Sequence, residues 1–157
     1  MFTQIGKNKK LAAVFWALSL ICMGVIFYFS SRTAAESSSQ STSVIDWLTK
    51  LFGSNVFTDF IVRKSAHFLE YTGLCLLLNW ALLLSKGKPL PAAALPVASL
   101  YAVTDEIHQL FVEGRSCEVK DWAIDTAGAI LGICVFYVTL LIVRFIMKRI
   151  DTRKNKL

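Results

Sequence analysis

Residues 63–85, RKSAHFLEYTGLCLLLNWALLLS, read as a membrane helix that is too short unless it carries its own polar end into the bilayer. Crossing the hydrocarbon takes about 20 residues, yet the uncharged part of this stretch runs only from 71 to 85. To reach across, the helix must take in His67 and Glu70. Its successors have the same problem, because the uncharged runs 89–104 and 126–143 require Asp105 and His108 in one helix and a start near Asp121 and Asp125 in the next. Ionisable groups inside a membrane normally face the bundle interior or a polar cavity. These are therefore expected to converge from three helices.

Working outward from that stretch, the run Leu11–Ser31 supplies 21 uncharged residues and spans unaided. Lys7, Lys9 and Lys10 before it and Thr33-Ala34-Ala35 after it imitate a secretory leader, but the run exceeds a usual leader core, so a retained span is expected. The prediction is an all-α, integral membrane four-helix bundle forming a single domain over 1–157. Its spans are about 11–31, 63–85, 89–112 and 120–147. Glu36–Ser43 reads as a flexible Ser-rich linker. After it, Val44, Trp47, Leu48, Leu51 and Phe52 recur at helical spacing, which predicts a short interfacial helix near 44–53 between spans 1 and 2, stopped by Gly53-Ser54-Asn55. Pro89 and Pro91 suit a helix start, while Pro96 should kink the third span. Asn79 is expected to bond a neighbouring helix.

Charge sorts the two faces. The N-terminus, the 86–88 turn and the tail collect eleven Lys and Arg against Asp151, while the other face receives ten acids against six bases. An excess of Lys and Arg near span ends marks the cytoplasm. The protein is thus expected in the cell membrane, multi-pass, with both termini cytoplasmic and the acid-rich face outward. Composition agrees: 55% of residues are hydrophobic, 18% charged and the mean hydropathy is +0.54. The net charge of +6 clusters at span ends and in the tail from Lys148 to Lys156, which points to membrane lipids as partners and not to nucleic acid. Four cysteines follow no CxxC pattern and suggest no disulfide framework.

Two local patterns and a loop carry the chemistry. His67 and Glu70 lie one turn apart and share a helix face with Tyr71 beside them; Asp105 similarly reaches His108 and Gln109, while Glu106 points elsewhere. Two histidine and carboxylate pairs are expected at comparable depth. Asp121, Asp125, Gly128 and Gly132 fall on one face of the last helix, where a GxxxG lets a neighbouring backbone approach closely. In the loop, Arg115 follows a glycine and offers a planar fork for phosphate or carboxylate; equally, it serves to neutralise Asp121, Asp125 or Glu106. His67, Glu70, Asp105 and His108 are the candidate catalytic residues, and Arg115, Gln109, Tyr71, Glu106, Asp121 and Asp125 the candidate ligand contacts. With only two histidines the metal-ligand pattern is incomplete, so no metal and no cofactor is expected. A third reading makes the same residues a buried network that holds the helices in register.

The order Arg63-Lys64-x-x-His67-Phe68-x-Glu70-Tyr71, Asp105-Glu106-x-His108-Gln109-x-Phe111, Gly114-Arg115, then Asp121, Asp125 and Gly128 resembles the VanZ-like membrane proteins over roughly residues 60–135. Departures are Glu113, where a proline often precedes the Gly-Arg, and Cys117, where the loop often has a glycine. The resemblance implies a small bacterial envelope protein bearing on susceptibility to glycopeptide antibiotics of the teicoplanin type. It brings no settled mechanism. On that footing an outward-facing polar pocket is expected to engage a lipid-linked cell-wall precursor, a lipid headgroup or the antibiotic. The alternative is a membrane-embedded hydrolase or transferase that uses a His and carboxylate acid-base site on a lipid-linked envelope substrate.

Overall fold

The computed structural model describes residues 5–53 and 56–154. Ser54 and Asn55 of the expected stop, and Lys156 of the basic tail, lie outside the described residues. The chain is helical: α1 covers Lys9–Ser30, α2 Ala34–Phe52, α3 Asp59–Lys86, α4 Pro91–Gln109 and α5 Val119–Lys154. Helices α1, α3 and α5 are each long and apolar enough to cross a membrane. Their outer surfaces are what a bilayer requires, since Leu20, Ile21, Val138 and Leu141 are all more than half exposed. An apolar face turned to lipid costs nothing there.

Local chemistry sets the helix ends. Asn8 caps α1 by accepting from Leu11 N–H at 3.0 Å, and Thr58 caps α3 by accepting from Ile61 N–H. Gly87 closes α3 in the left-handed conformation at φ 78°, which a residue with a Cβ rarely adopts. Pro91 stands in the first turn of α4 as expected, and the helix continues through Pro96.

One expectation fails outright. The Ser-rich segment 36–43 is not a linker but the first half of α2. Thr33 and Glu36 form a reciprocal capping box, which satisfies two otherwise orphan N–H groups. Ser41, Thr42 and Ser43 return their hydroxyls to carbonyls four residues back. Ser38 and Ser41 also reach Asp59 at the start of α3. A polar helix face is stabilised here by a polar neighbour, which hydrophobic periodicity does not register.

Helix α3 is the centre, packed against α1, α2, α4 and α5. Its closest neighbour is α5. A Cβ on Gly128 would collide with the Phe68 carbonyl, and one on Gly132 would lie 2.5 Å from the Thr72 carbonyl oxygen. Thr72 Oγ1 uses the proximity to donate to Gly128 O at 2.9 Å. The expected close approach through GxxxG is thus realised. On α4, Ala94, Ala98 and Ala102 are fully buried at four-residue spacing, which brings this helix tightly against Tyr71, Leu74, Leu78 and Ala129. Asn79 departs from expectation: its amide donates to Cys75 O of its own helix, 2.8 Å away.

Candidate functional site

At one end of the bundle the close of α1, the first half of α2, the N-terminal turns of α3 and α5 and the last turn of α4 meet. The α3–α5 contact through glycine fixes this end. Because Gly128 sits against Phe68, His67 and Asp125, each close by in sequence, are held face to face.

His67 Nδ1 lies 4.0 Å from Glu70 Oε2 and 3.9 Å from Asp125 Oδ1. The expected pair with Glu70 is present, and a carboxylate from another helix joins it. Asp125 is completely buried, and neither of its oxygens has a hydrogen-bond partner among the described residues. Asp105, on α4, faces the same centre. Its Oδ2 accepts from Ser30 Oγ at 2.8 Å and from Gln109 Nε2 at 3.4 Å, while Oδ1 is unbonded. Tyr71 is buried beside them with its hydroxyl unbonded. One ligand-type atom from each of His67, Asp105 and Asp125 falls within 4.8 Å of the other two. The sequence brought forward too few histidines for a metal; the fold gathers three donors from three helices.

The second expected pair does not form. No ion pair or hydrogen bond joins Asp105 to His108 among the described residues. Asp105 is held by Ser30 and Gln109, and His108 Nε2 instead meets Ser31 Oγ at 3.0 Å, with its ring 4.4 Å from that of Phe27. The two histidines therefore stand in different surroundings. His67 belongs to the central cluster, and His108 packs on the end of α1.

Other candidates are committed to the frame. Lys64 pairs with Asp121 across α3 and α5. Glu106 Oε2 accepts the Glu118 N–H at 2.8 Å and so secures the entry to α5. Arg115 neutralises no carboxylate among the described residues; its Nε donates to Arg32 O at 3.1 Å and its Nη2 to Phe29 O at 3.4 Å. The last carbonyls of a helix lack intrahelical partners and carry partial negative charge, so a guanidinium suits them. Gly114, at φ 75°, makes the turn that brings Arg115 there. A Cβ at position 114 would meet Ala34 Cβ at 2.9 Å, and Ala34 N–H donates to Glu113 O at 3.1 Å. Burial, and then the nearby Arg63, lower the Arg115 pKa below its ordinary value. The cation is thus only partly compensated.

A cavity of about 370 Å³ opens between α2 and α3. Its lining combines apolar Phe29, Val44, Val62 and Ala66 with Ser37, Gln40 and Ser41 of α2 and with Arg63, His67, Glu70 and Arg115. A polar recess of about 70 Å³ adjoins it, sharing Arg63, His67 and Arg115 and adding Lys64, Gln109 and Asp121.

The VanZ/LLP1 family model matches residues 15–143. The chain belongs to the VanZ/LLP1 family. No curated protein and no solved structure matches it. Within this VanZ-like chain the family match takes in α1 as well as the motif-bearing helices, and the end of α1 with its C-cap supplies Ser30 and Ser31, which the sequence alone does not single out. Their only signal was a pair of hydroxyls closing an apolar run. Arg63, which borders both the cavity and the recess, was quoted in the motif but not assigned a role.

Proposed function

We propose that this VanZ-like membrane protein binds the anionic headgroup of a lipid-linked envelope molecule, or a lipid-tailed glycopeptide, in the cavity between α2 and α3, and so alters glycopeptide susceptibility. One observation carries the reading: a single cavity is lined both by apolar Phe29, Val44 and Val62 and by Arg63, His67 and Arg115. An acyl or prenyl chain suits the first and a phosphate or carboxylate the second. In this reading α4 is the third of four spans despite its polar last turn, both termini are cytoplasmic, the cavity faces outward and α2 lies in the outer interface. The charge asymmetry of the sequence supports that orientation. Exposed Trp47, Leu51 and Phe52 on α2 support the interfacial position.

Expression in a teicoplanin-sensitive host that lacks related genes tests the reading. Susceptibility should change with the parent chain and return toward the host value with Arg63→Ala at equal membrane abundance. An unchanged host susceptibility removes the glycopeptide reading.

A second reading has its own support. His67 borders the cavity and has two carboxylates within 4.0 Å, the arrangement of a general base oriented by an acid. In a membrane-embedded hydrolase or transferase, His67 would take a proton from water or an acceptor hydroxyl, Glu70 or Asp125 would hold the imidazolium, and Arg115 would stabilise developing negative charge. Release of product from a lipid-linked phosphate substrate by the parent, and none by His67→Ala, distinguishes this from capture alone.

A further inference from the structure

We infer that His67, Asp105 and Asp125 bind one divalent cation of the zinc or manganese type between α3, α4 and α5. The donor atoms lie within 4.8 Å of one another. An ion with bonds of about 2.1 Å holds its ligand atoms about 3 to 4 Å apart. His67 Nδ1 and Asp125 Oδ1, at 3.9 Å, already meet that spacing. Small side-chain movements close the rest.

Two buried carboxyl groups here call for a partner. Asp125 is 0% and Asp105 3% exposed, and three of their four carboxylate oxygens have no hydrogen-bond partner among the described residues. A carboxylate removed from water without a partner is among the costliest groups a protein can bury. The cations nearby are engaged elsewhere: Lys64 with Asp121, Arg63 with Asp59, and Arg115 with the carbonyls of Phe29 and Arg32. A single divalent ion balances both aspartates.

The bonding around Asp105 supports the same assignment. Ser30 and Gln109 both donate to Oδ2, which fixes the carboxylate and leaves Oδ1 without a hydrogen-bond partner. Metal-binding carboxylates are characteristically oriented by such outer donors. Glu70 Oε2, 4.0 Å from His67 Nδ1, stands at the edge as a further oxygen. One imidazole among carboxylates favours zinc or manganese over softer ions. Because His67 also borders the cavity, the ion would keep a coordination position open to whatever enters. The cation belongs to the protein whether or not a glycopeptide or precursor binds beside it.

The test uses the full chain in lipid nanodiscs, purified without a histidine tag, stripped with chelator and titrated separately with Zn²⁺ and Mn²⁺. One ion per chain is expected for at least one metal. Asp125→Asn, which keeps the side-chain shape, should weaken binding at least about tenfold, the loss of one charged ligand interaction. Cobalt substitution should give visible absorption bands that shift or vanish in His67→Gln. If Asp125→Asn does not remain monodisperse and helical, His67→Gln carries the test, with the same loss expected. Failure of both metals to bind stoichiometrically overturns the site. So does undiminished binding by the folded variants, or an ion lost with Cys117→Ser but kept by Asp125→Asn.

Discussion

His67 and His108 begin from nearly the same sequence pattern, an imidazole three residues from a carboxylate on a helix, and finish in different surroundings. His67 meets both its own Glu70 and a buried carboxylate from α5. His108 loses Asp105 to Ser30 and Gln109, and packs at a tilt on Phe27 with Ser31 as its polar partner. Spacing along a helix decides which side chains share a face. The neighbouring helix decides what that face meets. For His67 the neighbour is α5, pressed close through two glycines; for His108 it is the hydroxyl-bearing end of α1.

The most forceful way to break the contrast is to separate α3 from α5. Gly128→Val should force the helices apart and destabilise the protein by about 1–3 kcal/mol or more, the range for overpacked cores. A lower thermal midpoint and reduced membrane abundance would record it. Next in size comes the contrast itself. His67→Ala should abolish the susceptibility phenotype while leaving abundance intact, whereas His108→Ala, at a half-buried ring outside the central cluster, should stay within about twofold of the parent. Equal losses from the two variants would erase the distinction drawn between them. Ser30→Ala removes a buried donor from Asp105 and should cost about 1 kcal/mol, read as a small drop in thermal midpoint. Ser31→Ala, at an exposed contact to His108, should cost at most about 0.5 kcal/mol.

How much of this was legible beforehand depended on what each residue's neighbour was. The apolar runs point to α1, α3, α4 and α5 with their approximate bounds, and shortage of neutral length sends His67, Glu70, Asp105, His108, Asp121 and Asp125 toward one end, where His67, Glu70, Asp105 and Asp125 meet while His108 turns to the end of α1 and Asp121 to Lys64. GxxxG at Gly128 and Gly132 was readable because small residues in a membrane helix have few other uses. Helix α2 was half missed, since its serines are satisfied by their own backbone and by Asp59, and neither partner leaves a periodic hydrophobic trace. The sequence offers Arg115 a ligand anion or Asp121, Asp125 or Glu106 as partner; in the structure its hydrogen bonds go to the carbonyls of Phe29 and Arg32. Backbone acceptors carry no residue identity, so a sequence cannot advertise them. His108 misled for the opposite reason: its local pattern was good, and a distant hydroxyl overrode it.

Helix α5 runs unbroken for 36 residues, about 54 Å at the usual rise, against a hydrocarbon layer of about 30 Å. Its surplus length bears Lys148, Arg149, Arg153 and Lys154, all exposed. A rigid cationic post of this kind sets a depth gauge, because sliding the rod toward the buried aspartates would drag four ammonium and guanidinium groups into oil. Insertion depth at the far end is thereby tied to the level at which Asp125 is held.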